Sequence, residues 1–98
     1  MENKITVIYE IDYSDVFFEH IAKYRQSGQQ SILIKIDKLV SELRKHPYTG
    51  TGRPEPLTYD KKGEWSRRIT RKHRLVYSVD DEKITVLMIS AFGHYDDK

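Results

Sequence analysis

The stretch EWSRRITRKHRLVYSV, residues 64–79, decides the fold because the spacing of the apolar residues changes there to a period of two. This period is typical of β-strands, in which successive side chains point to opposite faces. We predict a strand over residues 64–70, a turn at Arg71 and Lys72, and a strand over residues 73–79. The second strand divides its residues between two faces: Leu75, Tyr77 and Val79 on one, and Arg74, Val76 and Ser78 on the other.

The segment KITVLMISAFGHY, residues 83–95, follows and is predicted to be the final strand, with residues 80–82 forming the turn before it. Since two tight turns join the three strands, we expect an antiparallel meander. A loop rich in Gly, Pro and Thr, residues 47–63, leads into the meander from the N-terminal side.

Two helices are predicted before this loop. The first begins after Ser14, a candidate N-cap, and ends at Ser27 and Gly28. Its apolar residues recur at helical spacing, at Phe17, Ile21 and Tyr24. The second helix carries one apolar stripe, formed by Ile32, Ile36, Leu39, Val40 and Leu43. Arg44 and Lys45 in its last turn suit the negative end of a helix dipole, and His46 with Pro47 ends it.

The segment ITVIYEI, residues 5–11, is predicted to be a strand at the start of the chain. The order of elements is then β-α-α-β-β-β. We therefore expect the α+β class, with a single domain over residues 1–98. An N-terminal strand and the meander form one sheet, and a two-helix hairpin packs on it.

Composition excludes several classes of site and protein. The chain has no cysteine, so disulfides and thiolate metal sites are excluded, which fits a reducing cytoplasm. The four histidines show no metal-ligand spacing, so we expect no metal, and no cofactor motif is present. The N-terminal stretch does not resemble a signal peptide, and no segment has the length of a membrane span. We expect a cytoplasmic protein with no membrane partner.

Charge is uneven along the chain although the formal net charge is only +2. Residues 53–74 hold eight basic and three acidic residues, for a local net charge of +5. Such a cluster can be a solvated surface or the binding site of a phosphate-bearing partner.

One acid stands inside the loop GTGRPEPLTYD, residues 50–60, under tight backbone restraint. Pro54 has a fixed φ, and Pro56 pushes Glu55 out of the helical region into an extended conformation. A solubilising acid needs no such restraint, whereas an acid that must point to one place does.

Seven polar residues are candidates for chemistry: Glu55, Arg67, Arg68, His73, Arg74, His94 and Tyr95. A carboxylate, guanidinium groups, an imidazole and a phenol suit phosphodiester cleavage, in which one group takes a proton, another protonates the leaving oxygen and Arg neutralises charge. Each has a structural alternative, such as an ion pair between Glu55 and Arg53. Arg67 and Arg68 are adjacent, so at most one of them can share a given face of the sheet.

These residues lie in motifs that resemble a known family. GTGRPEPL, EWSRRIT, HRLVY and a terminal His-Tyr pair are together similar to the Txe/YoeB toxins of bacterial toxin–antitoxin modules, within the RelE-like group of ribosome-dependent mRNA endonucleases. The similarity is dense over residues 43–77 and returns at His94 and Tyr95. It implies a RelE-like fold and cleavage of mRNA in the ribosomal A site.

The resemblance also implies a role for each matching residue. Glu55 matches the general base, Arg74 the arginine that stabilises the phosphate, and Arg68 a second arginine that holds it. His94 matches the general acid, and Tyr95 the aromatic residue that supports the site.

Further RNA contacts are expected from Arg53, Lys61 and Lys62. Thr58 stands where relatives commonly have a lysine, so that phosphate contact is either missing or supplied by Lys61 or Lys62. The two acids in the tail Asp96-Asp97-Lys98 would weaken the binding of RNA.

The partners implied by the resemblance are the ribosome with its mRNA, a cognate antitoxin, and operator DNA through the antitoxin complex only. Whether the chain forms a homodimer stays open. Two other functions also stay open, a non-catalytic RNA- or ribosome-binding module and an antitoxin-dependent DNA-binding co-repressor.

Overall fold

The computed structural model describes residues 7–57 and 63–93. Its elements are β1 (Glu10–Tyr13), α1 (Asp15–Gln26), α2 (Gln30–Leu43), β2 (Glu55–Pro56), β3 (Glu64–Arg68), β4 (Arg74–Asp80) and β5 (Thr85–Ser90). The predicted α+β class and the predicted order of elements are confirmed, and the loop contributes one further short strand, β2. Neither helix has the length and apolar character that crossing a bilayer requires, as far as the described residues go.

The five strands form one sheet in the order β1-β5-β4-β3-β2. β2, β3, β4 and β5 pair antiparallel in succession, so the predicted meander is confirmed. β1 pairs with β5 in parallel, with Glu10 opposite Thr85. Parallel neighbours need a long crossover connection, and the helical hairpin is part of the chain that connects them.

The predicted N-terminal strand, residues 5–11, was placed too early. β1 begins at Glu10 because its partner β5 begins opposite, at Thr85. The backbone N–H of Tyr9 donates instead to the carbonyl oxygen of Arg44, 2.7 Å away, so the chain leaves the sheet toward α2. Residues 1–6 lie outside the described residues.

Three other predicted ends also need correction. β5 ends at Ser90 rather than continuing to residue 95, because the next backbone N–H, that of Ala91, donates to the His20 side chain. α2 ends at Leu43 with Arg44 as its C-cap, so Arg44 and Lys45 lie beyond its last turn. The segment predicted as a strand over residues 64–70 pairs as a strand only to residue 68.

The core lies between the helices and one face of the sheet. The predicted apolar stripes supply its helical side, through Phe17 and Tyr24 of α1 and through Ile32, Ile36, Leu39 and Leu43 of α2. Leu75, Tyr77 and Met88 supply the sheet side and are fully buried. Burying each large apolar side chain contributes about 1.5–3 kcal/mol. Since Leu75 and Tyr77 face the helices, the alternate residues of β4 face away from them.

Ser14 connects the start of α1 to the sheet. Its Oγ accepts the backbone N–H of Phe17 at 3.0 Å, which confirms the predicted N-cap. The same hydroxyl donates to the carbonyl oxygen of Ile89 at 2.8 Å, and the Ser14 backbone N–H donates to that of Met88 at 2.9 Å. One residue therefore caps the helix and fixes it to β5.

We predict that Ser14→Ala lowers the free energy of unfolding by about 1–2 kcal/mol, because both side-chain hydrogen bonds are lost. Urea unfolding followed by circular dichroism measures this. Ser41→Ala on the exposed side of α2 is the matched control and should be neutral or slightly stabilising, since alanine is the better helix former. Equal effects at the two serines would contradict the capping role.

Candidate active site

The face of the sheet that points away from the helices collects three of the candidate residues. Register places Glu55 opposite Ser66, and Arg68 opposite Arg74. Residues opposite each other point to the same side of a sheet, as do residues two apart on one strand. Glu55, Arg68 and Arg74 therefore share one face, although they come from three different strands.

The Glu55 carboxylate and the Arg74 guanidinium form an open ion pair. Arg74 Nη1 lies 3.6 Å from Glu55 Oε2, longer than a direct hydrogen bond. The same Nη1 donates to Ser66 Oγ at 3.2 Å, and Ser66 is fully buried. The Glu55 side chain is 53% exposed and that of Arg74 25%. The Arg74 guanidinium is thus held by the buried Ser66 hydroxyl, while the Glu55 carboxylate stays exposed to solvent.

Arg68 adds a second positive charge directly across from Arg74. Like charges opposite each other on a sheet repel. Arg68 is exposed, and no carboxylate of residues 7–57 or 63–93 lies within ion-pair distance of it. An anion that bridges the two guanidinium groups would relieve the repulsion, and phosphate suits their planar donor geometry.

The restraint predicted at Glu55 is visible in the backbone. Glu55 and Pro56 are extended and pair with β3, and the Arg68 backbone N–H donates to the Gly52 carbonyl oxygen at 2.7 Å. Arg53 is exposed and has a φ of 54°, a left-handed conformation that costs a non-glycine residue about 1–3 kcal/mol. The loop therefore enters β2 through a strained residue.

Several candidate residues fall outside the part of the chain that the structure describes. They are Lys61, Lys62, His94 and Tyr95, together with Thr58 and the tail at residues 96–98.

Arg67 does not belong to this site, which corrects its place among the candidates for chemistry. Its side chain is fully buried on the helix side of the sheet. All five of its N–H donors are used. Nε donates to Tyr77 Oη at 3.1 Å, Nη1 to Glu42 Oε1 at 2.6 Å and Thr51 O at 3.2 Å, and Nη2 to His46 O at 2.6 Å and Thr49 O at 2.8 Å. Arg67 therefore organises the loop that precedes Glu55.

Glu42 completes this arrangement from α2. Its carboxylate also accepts the Thr51 backbone N–H at 2.9 Å and the Thr51 hydroxyl at 2.6 Å. Burial alone would raise the pKa of Glu42, but the hydrogen bonds from Thr51 and Arg67 outweigh it and bring the pKa below 4.5. A Cβ at Gly50 would overlap the carboxylate, so only glycine lets the loop approach this closely.

Comparison with known proteins places the chain in a family. The model described as the YoeB-like toxin of bacterial type II toxin–antitoxin systems matches residues 13–95. The chain belongs to the YoeB-like toxin family.

Individual relatives of this YoeB-like toxin agree. Toxin YoeB from Escherichia coli strain K12 is 44% identical over 63 residues, which are 64% of this chain and 75% of that toxin. A YoeB/ParE toxin from Agrobacterium tumefaciens has a TM-score of 0.81 at 30% identity, covering 88% of this chain and 99% of that one. YoeB from Staphylococcus aureus, in a complex with YefM, has a TM-score of 0.72 at 35% identity, covering 89% and 98%.

Sequence reasoning missed Ser66 and Glu42, which position the groups that it found. Ser66 lies on the same face as Arg74 only because of the strand register, and the pairing is not visible in either segment alone. The period of two does place Arg67 and Trp65 on one face of β3. Because a tryptophan is usually buried, this face could have been assigned to the core, and Arg67 with it.

No group of three or more metal-ligating side chains gathers in residues 7–57 and 63–93 of the YoeB-like toxin. His73 is 9% exposed, and its Nδ1 accepts the Gly93 backbone N–H at 2.8 Å. The part of the site that the structure describes therefore consists of one carboxylate and two guanidinium groups, with Ser66 beneath them.

We predict that Arg67→Met lowers the free energy of unfolding by about 3–5 kcal/mol, because it leaves the Glu42 charge and buried carbonyl groups without their donor. Urea unfolding at pH 7 measures the loss. The neighbour provides the matched control: Arg68→Met removes an exposed guanidinium on the other face and should change stability by no more than about 0.5 kcal/mol. Similar losses for the two variants would contradict the assignment of the faces.

Proposed function

We propose that this toxin is a ribosome-dependent mRNA endonuclease that uses no metal ion and cuts by attack of the RNA 2′-hydroxyl. The observation that carries the proposal is the open Glu55–Arg74 pair on the exposed sheet face, next to Arg68. Family membership supports the toxin role, and the resemblance to RelE-like endonucleases supplies the reaction.

The chemistry proceeds in one displacement at phosphorus. Glu55 takes the proton of the 2′-hydroxyl, the 2′-oxygen bonds to phosphorus, and the bond from phosphorus to the 5′-oxygen breaks. Arg74 and Arg68 bind the phosphate oxygens, where negative charge increases in the transition state. The products are a 2′,3′-cyclic phosphate on one fragment and a 5′-hydroxyl on the other.

The remaining roles rest on the resemblance. His94 donates the proton to the leaving 5′-oxygen, and Tyr95 supports it. Arg53, Lys61 and Lys62 bind the mRNA backbone, in agreement with the net charge of +5 over residues 53–74.

The proposed partners are mRNA in the ribosomal A site and a cognate antitoxin in the cytoplasm. Staphylococcus aureus YoeB is known in a complex with YefM and also as a dimer, which supports an antitoxin complex for this chain and makes a homodimer a second assembly to examine. Operator DNA would be contacted through the antitoxin complex.

We predict that a single 2′-deoxynucleotide on the 5′ side of the cut abolishes cleavage at that position without preventing binding, because the phosphate contacts remain and the nucleophile is gone. Primer extension on ribosome-bound mRNA locates the cuts. A deoxynucleotide on the 3′ side of the cut is the control and should be cut normally. Cutting at the deoxy position, or a 5′-phosphate on the product, would mean that water is the nucleophile.

Glu55→Gln, which keeps the size of the side chain, should slow cutting of the all-ribose message about 10²–10⁴-fold, because the general base is removed. The same variant separates an enzyme from a binding module. A non-catalytic module would inhibit translation equally well with glutamine at this position. Unchanged growth arrest on expression of Glu55→Gln would therefore favour the binding module.

We predict that Arg74→Lys slows cleavage about 10²–10³-fold, nearly as much as Arg74→Ala, because lysine keeps the charge and loses the planar pair of donors. Single-turnover cleavage of ribosome-bound mRNA measures it. Arg71→Lys, at the exposed turn that precedes β4, is the matched control and should cut at the wild-type rate. A fully active Arg74→Lys would show that only a positive charge is needed there.

A further inference from the structure

The segment from Ala91 to Gly93 is the stretch of chain that leads from the sheet into His94 and Tyr95. It has left β5, and the sheet backbone reaches it through the Arg74 N–H at the start of β4, which donates to the Gly93 carbonyl oxygen. Gly93 has a φ of 89°, in the region that favours glycine, so the chain bends there. Side-chain contacts add to this backbone hydrogen bond in fixing the direction in which the chain continues.

Two imidazoles hold this segment by accepting its backbone N–H groups. His20 Nδ1 accepts from Ala91 at 3.0 Å, and His73 Nδ1 accepts from Gly93 at 2.8 Å. An imidazole nitrogen accepts a hydrogen bond only when it carries no proton, so both rings must be neutral in this arrangement. Protonation would place a second N–H against the backbone N–H and break the contact.

The rest of the segment is held by groups that do not titrate near neutral pH. The Tyr24 hydroxyl donates to the Ala91 carbonyl oxygen at 2.5 Å, and burial raises the pKa of Tyr24 to about 12. The Arg74 backbone N–H donates to the Gly93 carbonyl oxygen at 3.0 Å. The Phe92 ring packs against His73, Tyr24 and His20, with centroids 4.7, 5.5 and 5.7 Å away.

We propose that His20 and His73 are positioning residues that, as neutral imidazoles, clamp Ala91–Gly93, the segment of chain directly before His94 and Tyr95. The clamp rests on the proposed function, because it matters to activity only if His94 takes part in cleavage. It makes the activity depend on pH through the protonation of His20.

The surroundings of His20 favour the neutral ring, through burial first and through charge second. Burial is the larger cause that lowers its pKa below 6.5, the Lys23 ammonium acts in the same direction, and Glu19 opposes them. The segment packed on His20 presents the uncharged Phe92 ring, over which Lys23 Nζ lies 4.6 Å from the centroid. Since the folded pKa is depressed, the unfolded chain takes up the proton first. The clamp is therefore complete at neutral pH and is lost only as pH falls below 6.5, through the depressed pKa of His20.

The test compares three proteins in ribosome-bound mRNA cleavage between pH 5.5 and 8. His20→Asn keeps an acceptor oxygen near the Nδ1 position but cannot be protonated, and His20→Phe keeps a ring against Phe92 but accepts nothing. We expect His20→Asn to cut at the wild-type rate at pH 8 and about two- to tenfold faster than wild type at pH 5.5, the effect of about one hydrogen bond. His20→Phe should be slower than His20→Asn by a similar factor at every pH.

His46→Asn is the matched control, because it removes an exposed histidine outside the clamp. Its rate relative to wild type should stay constant with pH. The proposal is overturned if wild type and His20→Asn have the same pH profile, or if His20→Phe cuts as fast as His20→Asn.

A second measurement does not depend on cleavage. Hydrogen exchange of the Ala91 amide, followed by NMR in the Glu55→Gln protein, should accelerate at low pH relative to the same protein with His20→Asn. If the exchange rate of the Ala91 amide does not differ between these two proteins at low pH, the proposed clamp is wrong, whatever the cleavage data show. If wild type cuts no ribosome-bound mRNA, the proposed function fails, while the exchange experiment still decides whether the clamp exists.

Discussion

The buried guanidinium of Arg67 is the interaction on which the candidate site depends. It joins β3 to β4, α2 and the loop before β2 through five hydrogen bonds, and no hydrophobic side chain could replace it without leaving carbonyl groups and the Glu42 carboxylate without donors. The loop at residues 46–51 also makes apolar contacts, since Pro47 is buried and the Tyr48 ring lies 5.1 Å from that of Trp65 on β3. The Arg67 hydrogen bonds add direction to this packing, and Glu55 follows in the chain that leaves the loop.

Two adjacent arginines on β3 have opposite tasks because a strand alternates its faces. Arg67 points to the helices and all of its donors are used by the protein, whereas Arg68 lies exposed on the other face, opposite Arg74. The same alternation on β4 places Tyr77 in the core and Arg74 in the site. The strands β3 and β4 thus supply core side chains on one face and the guanidinium groups of Arg68 and Arg74 on the other.

The site is assembled from segments far apart in the sequence, each fixed by its own contacts. Glu55 depends on the Arg67 network and on two prolines, and Arg74 depends on the buried hydroxyl of Ser66. The segment Ala91–Gly93 is held by Tyr24 and two histidines. These contacts are made by hydrogen-bonding groups rather than by shape alone, so each segment has one preferred position. The backbone strain at Arg53 can persist because the residues on both sides of it are fixed.

The sequence by itself determined the class of fold, the order β-α-α-β-β-β, the Ser14 cap and the alternation along β3 and β4, because each is a pattern within a few neighbouring residues. The resemblance of the motifs also assigned Glu55, Arg68 and Arg74 to one site without the structure, and their catalytic roles stay predictions. Only the tertiary structure decided which face meets the helices, and therefore that Arg67 is buried while Arg68 is exposed. It also decided that β1 pairs in parallel with β5, that Ser66 supports Arg74 and that β5 stops at Ser90. Those outcomes depend on partners dozens of residues away, and local periodicity carries no information about which distant strand or side chain will supply the hydrogen bond.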